Sequence, residues 1–138
     1  MHRLMPSDPT SKPRVLIVDD EPLARLVTAT RLKLLGATVV EAENGAIALD
    51  LLLAEPFNMA VIDLQMPTFD GFALINCIRG HSKLNHIPIV VLTGSEDPNS
   101  IHRALSAGAT SYLLKPLNWS AFGEHIRSML LFPARLFA

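Results

Sequence analysis

Five polar residues stand at the ends of short apolar runs: Asp19 and Asp20 after VLIV, Asp63 after MAVI, Thr93 after IVVL and Lys115 after SYLL. If those runs lie side by side, three carboxylates meet at one rim. At an effective dielectric of about 20 they repel one another by several kcal/mol, so a cation must sit among them or one must hold a proton. A divalent ion answers the conflict. An all-oxygen donor set with room for water and phosphate oxygens favours Mg²⁺ over Zn²⁺, which prefers His or Cys. Lys115 adds a compact positive charge and Thr93 a hydroxyl, and together with Mg²⁺ they match the three oxygens of a phosphoryl group in transfer. Asp63 ends a central run and leads into the Gln65-Met66-Pro67 turn, which makes it the favoured nucleophile and covalent aspartyl-phosphate chemistry the sharpest reading.

The elements that would position these residues are regular. Apolar runs of strand length start at Val15, Thr38, Met59, Ile87 and Ser111, separated by 23, 21, 28 and 24 residues. Runs without polar alternation fit strands covered on both faces, as in parallel sheets with crossover helices. Helices are expected over 22–35, 44–54, 72–79, 98–107 and 118–131. In the first, Leu23, Leu26, Val27, Thr30 and Leu34 recur at helical spacing and are expected to face the sheet. Pro22 stands where a helix tolerates it, Gly36 closes that helix, and Gly80 and Gly108 stand where left-handed caps would end two others. The result is five βα units in a doubly wound α/β sheet, whose ligands bind at the carboxyl ends of the strands.

Each residue also has a bland reading in isolation. Asp19-Asp20-Glu21-Pro22 suits a helix cap, Asp63 a turn, Thr93-Gly94 a loop, and Lys115 a solvated surface. One such residue at the end of four different strands makes coincidence a poor account. Cys77 falls among Phe72, Ile75 and Ile78 and is expected to be buried. The five histidines (His2, His81, His86, His102 and His125) show no ligand spacing.

Composition narrows the classes. The chain has 138 residues, 49% of them hydrophobic and 18% charged, with a formal net charge of −1. That suits one domain with a packed core and provides no basic field for nucleic acid or anionic lipid. The single cysteine cannot form an internal disulfide, and the longest run free of Asp, Glu, Lys and Arg, 84–95, is too short for a bilayer. No secretory leader is evident, and the cytoplasm is the expected compartment. Residues 1–13 are expected to form a flexible N-terminal segment, 14–131 the domain, and 132–138 a short apolar tail. The tail would dock on the last helix or on a second subunit, forming a homodimer.

These residues resemble the receiver domains of two-component response regulators, also called chemotaxis-regulator-like domains. VLIVDDEP (15–22) is similar to the family's acidic-pair motif, VIDLQMPTFDG (61–71) to its phosphoacceptor strand and turn, VVLTG (90–94) to its switch hydroxyl, and YLLKP (112–116) to its lysine motif. The separations of 30 residues from Asp63 to Thr93 and 22 from Thr93 to Lys115 suit the pattern. The resemblance spans about residues 14–131. Thr68-Phe69 departs from the small residues more usual after the proline.

The resemblance implies a flavodoxin-like (βα)₅ fold with strand order 2-1-3-4-5 and a phosphorylation-activated signalling role. Asp63 would take a phosphoryl group from a sensor histidine kinase or a histidine phosphotransfer protein. Asp20, Asp63 and the Gln65 backbone carbonyl would bind Mg²⁺, with Asp19 acting mainly through water. Lys115 would pair with the acceptor. Thr93 and Tyr112 would then rearrange the face formed by helix 4, strand 5 and helix 5, to control a downstream protein effector. Lys115-Pro116 would be cis, and Gln65 and Ser95 would tune loss of the phosphoryl group to water. Two rivals share parts of this pattern. A haloacid-dehalogenase-like phosphatase would use the same aspartyl phosphate, but its second acid, two residues after the nucleophile, is replaced here by Gln65. An inert or cofactor-binding flavodoxin-like scaffold would want a Gly-rich phosphate loop where Asp-Asp-Glu-Pro stands.

Overall fold

In a computed structural model, residues 12–66, 71–94 and 97–131 are described, with only the main chain at Leu131. Pro67, Thr68, Phe69, Ser95, nearly all of the N-terminal segment and the 132–138 tail lie outside the described residues. Ten elements alternate: β1 (Arg14–Val18), α1 (Pro22–Leu34), β2 (Thr38–Ala42), α2 (Gly45–Ala54), β3 (Met59–Asp63), α3 (Gly71–Gly80), β4 (Ile89–Thr93), α4 (Pro98–Ala107), β5 (Ser111–Leu114) and α5 (Trp119–Leu131). All four strand pairings are parallel, in the order β2-β1-β3-β4-β5. This is the doubly wound arrangement read from the spacing of the apolar runs, with the flavodoxin-like strand order that the resemblance implies.

Alternate side chains of the three central strands feed two cores. Leu16, Val18, Ala60, Ile62, Ile89 and Val91 pack with Leu74, Ile75 and Ile78 of α3 and with Ala48 and Leu52 of α2. Val15, Ile17, Met59, Val61, Val90 and Leu92 pack on the opposite face with Ala29 and Leu32 of α1 and Phe122 and Ile126 of α5. The five residues of β3 and of β4 are all buried, whereas β5 alternates half-buried and exposed positions because it closes an edge of the sheet. Burying both faces of the central strands accounts for their unbroken aliphatic runs.

Three local expectations are corrected. The stripe Leu23, Leu26, Val27 and Leu34 does not face the sheet: these side chains are 66%, 52%, 42% and 73% exposed, while α1 buries Thr28, Ala29 and Leu32. The helix carries two periodic faces. The smaller side chains of the Thr28–Ala29 face let α1 lie close to the sheet, leaving the bulkier leucines outward. Cys77 is exposed. The α3 stripe is Gly71, Leu74, Ile75 and Ile78, and at about 100° per residue Cys77 falls off that arc. Gly80 lies within α3 and has no positive φ, whereas Gly36 (φ 98°) and Gly108 (φ 119°) take the left-handed conformation that ends α1 and α4. No described helix is long and apolar enough to cross a membrane.

The orientation of α1 is open to a stability test. Leu32→Ala should cost about 2–5 kcal/mol in urea unfolding. Leu26→Ser should change stability by less than about 0.5 kcal/mol. The reverse ranking would return the leucine stripe to the core.

Candidate functional site: a buried acidic pair at the carboxyl ends of the strands

The parallel sheet brings the ends of β1, β3, β4 and β5 to one edge, and with them Asp19, Asp63, Thr93 and Lys115. Asp19, Asp63 and Thr93 retain only 1%, 4% and 2% of their accessible surface. The Lys115 ammonium lies 3.0 Å from Asp63 Oδ1. The same oxygen accepts the Gln65 N–H at 3.0 Å, so the β3–α3 turn fixes the carboxylate from below while β5 supplies its counter-charge. The Lys115 backbone N–H donates to the Thr93 carbonyl at 2.8 Å, which ties the lysine loop to the end of β4. Lys115–Pro116 is cis.

Asp19 is the strained member. Its Oδ1 accepts the Glu21 N–H at 3.0 Å, and its own N–H donates to the Ala42 carbonyl at 3.1 Å. Burial pushes its carboxyl up to about 6, helped by the facing Asp63 carboxylate, while the Glu21 N–H and the Lys115 charge pull the other way. Two buried carboxylates, with the Lys115 ammonium paired to one of them, are short of positive charge. Asp20, half-buried, follows directly in the chain. Among the described residues no three acidic, His or Cys side chains form a ready-made cage. Carboxylate and carbonyl oxygens are what Mg²⁺ accepts and what a thiol- or imidazole-seeking ion does not, so the donor chemistry fits Mg²⁺.

Three details of the site go beyond what the sequence assigned to single residues. α1 is capped by Glu21, whose carboxylate accepts from the Leu23 and Ala24 N–H groups, and neither preceding aspartate is used for the cap. A nearest-to-proline rule would have found it. The Gln65 side chain reaches across to the next loop, its Oε1 accepting the Gly94 N–H at 3.0 Å. A Cβ on residue 94 would meet that oxygen at 2.9 Å, so any larger residue there would have to push the Gln65 amide aside. The third is Arg25, whose guanidinium contacts the Asp19 carbonyl; nothing in the spacing announces it. Tyr112 lies on β5 beside Val91 in register, its side chain exposed.

The family model for the response regulator receiver domain matches residues 15–127. A curated relative, the probable transcriptional regulator ycf27 of Porphyridium aerugineum, is 34% identical over 86% of this chain and 48% of its own length. The chain thus spans about half the length of that relative. Among solved structures, the chemotaxis response regulator CheY4 of Vibrio cholerae superposes with a TM-score of 0.80 at 28% identity, covering 86% of this chain and 98% of that one. The receiver domain of the sensor histidine kinase PA1611 of Pseudomonas aeruginosa has a magnesium ion coordinated in its active-site cleft. It shares the fold at a TM-score of 0.80 and 23% identity, covering 87% of this chain and 98% of that one.

The raised Asp19 carboxyl has a measurable consequence. Folding favours its protonated form, so its contribution to stability is fullest below the unfolded value of 3.8 and is lost as pH rises through about 6. Asp19→Asn removes the titration. In the metal-free protein the variant should therefore gain on wild type by about 2 kcal/mol between roughly pH 4 and pH 7. Millimolar Mg²⁺ should stabilise wild type more at neutral than at acid pH, since carboxylates bind the ion deprotonated. A pH-independent gap in urea unfolding would contradict the assignment.

Proposed function

This chain belongs to the response regulator receiver domain family, the phosphorylation-activated signalling domains of two-component systems, and on that premise we propose that Asp63 is its phosphoacceptor. The observation that carries the reading is the pairing of a buried Asp63 with Lys115 at 3.0 Å, beside a second buried carboxylate. A nucleophile held by an ammonium and a main-chain N–H is oriented before the donor arrives. In the transfer, an Asp63 carboxylate oxygen forms a bond to phosphorus as the bond from phosphorus to the donor imidazole nitrogen breaks, and the imidazole keeps that electron pair. Bound Mg²⁺ would supply positive charge to the phosphoryl oxygens; Asp20, Asp63 and the Gln65 carbonyl would hold it, with Asp19 behind them. Lys115 takes one phosphoryl oxygen and the Thr93 hydroxyl another.

The added group carries nearly two negative charges, and its pull on Thr93 and Lys115 is transmitted to the α4-β5-α5 face. Tyr112, exposed on that face, turns inward behind Thr93. The output is contact with a protein effector, so the domain works as a switch and not as an enzyme with turnover. The phosphodonor is a sensor histidine kinase or a histidine phosphotransfer protein. Its docking is served by the outward apolar face of α1, which starts at Pro22 beside the acidic rim and exposes Leu23, Leu26, Val27 and Leu34.

Intact-mass spectrometry after acetyl phosphate plus Mg²⁺ should give one phosphate-sized increment that Asp63→Asn abolishes. Many equivalents of phosphate released per protein would instead indicate a phosphatase. Lys115→Ala should keep metal binding yet lose partner activation. Leu26→Asp should slow transfer from a phosphohistidine protein about tenfold or more while leaving the acetyl phosphate reaction unchanged; equal rates with both donors would move the docking face elsewhere.

A further inference from the structure

Arg25 lies one turn into α1, outside every motif read from the sequence. Its Nη1 donates to the backbone carbonyl of Asp19 at 2.8 Å, and its Nε donates to Glu41 Oε1 of β2 at 3.1 Å. The guanidinium is a rigid planar fork, so holding one edge against Glu41 fixes the direction of the other. Its own N–H closes the first turn of α1 on the Glu21 carbonyl at 2.9 Å. The base of the side chain is therefore anchored by the helix and its tip by the neighbouring strand, with the arginine side chain only 17% exposed.

What Arg25 grips matters more than the ion pair. The Asp19 carbonyl belongs to the Asp19–Asp20 peptide unit, a rigid plane. The Asp19 N–H and Oδ1 are engaged elsewhere, with the Ala42 carbonyl and the Glu21 N–H. That plane carries two polar groups, the Asp19 carbonyl and the Asp20 N–H, and Arg25 holds the first of them. Fixing it fixes the axis from which the Asp20 side chain departs. A loop left to itself at the end of a strand would sample several orientations of this plane, and each would have to be abandoned before two carboxylates could meet one ion.

Resting on the reading of this rim as a divalent-cation site, we infer that Arg25 is a positioning residue for that site, acting through the Asp19–Asp20 peptide and itself held in place by Glu41. Geometry and charge predict opposite signs here. An arginine near a dication site repels the ion, so on charge alone its removal would tighten Mg²⁺ binding. As a positioning residue its removal must loosen it, and outer-sphere partners of this kind are worth roughly 10–100-fold in metal affinity.

The experiment is a Mg²⁺ titration of the full chain followed by the amide NMR shifts of Asp20 and Gln65, with thermal unfolding recorded without metal. Arg25→Gln should weaken Mg²⁺ about tenfold or more. Phosphorylation by acetyl phosphate should then slow at low Mg²⁺ and recover at saturating Mg²⁺. Glu41→Asp keeps the charge but withdraws the carboxylate from Arg25, and should weaken Mg²⁺ several-fold; it also serves if Arg25→Gln fails to fold. Tighter or unchanged Mg²⁺ binding in the folded variants, with only a lower unfolding temperature, would overturn the inference and leave Arg25 a structural brace. A wild-type chain that neither binds Mg²⁺ nor takes phosphate would instead overturn the reading of the site itself.

Discussion

Two carboxylates face each other at a depth where charge is costly, and the Lys115 ammonium stands beside them. Asp19 and Asp63 are almost wholly buried, and the Lys115 ammonium pairs with Asp63 at 3.0 Å. In water such a pair would simply separate. Here each is pinned by main chain: Asp19 by the Glu21 N–H and Asp63 by the Gln65 N–H, both at 3.0 Å. The shortage of positive charge is thus built into the fold, and it is what supports the proposed binding of a dication and of a phosphoryl group at this rim.

The rest of the architecture serves that rim. A parallel sheet is the arrangement that brings the same end of every strand to one edge, and it demands strands buried on both faces, which the aliphatic runs of β1, β3 and β4 supply. Capping of α1 by Glu21 leaves the two preceding aspartates free of helical duty. Left-handed glycines at 36 and 108 return the chain from α1 and α4 to the far end of the sheet without lengthening the loops. Away from the rim, the Arg79 guanidinium bonds the carbonyls of Gly108 and Ile87 at 2.8 and 2.7 Å, holding the base of α4 against the starts of β4 and β5.

The strands and the acids were legible because both follow one-dimensional rules: aliphatic runs mark buried parallel strands, and a polar residue after such a run lies at the carboxyl edge. Helix orientation was not. In α1 two faces repeat with the same period, and residue size favours Leu23, Leu26 and Leu34, yet the sheet takes the Ala29–Leu32 face. Which face packs depends on how closely the helix approaches its neighbours, and no local pattern records that. Cys77 was misplaced for a related reason: adjacency to Ile75 and Ile78 in sequence is not adjacency on a helix. The Gln65 to Gly94 contact and the Arg25 to Glu41 pair join residues 29 and 16 apart. Such polar contacts between loops and elements follow from the assembled fold and have no signature in spacing.

The central claim is that Asp19 and Asp63 confront each other in one poorly solvated pocket. Carboxyl-carbon NMR of the metal-free protein as a function of pH tests it directly. Asp19 should titrate near 6, fall toward the ordinary carboxylate range in Asp63→Asn, and rise further in Lys115→Met. An Asp19 that titrates like a solvated aspartate in wild type and ignores both substitutions would contradict the account.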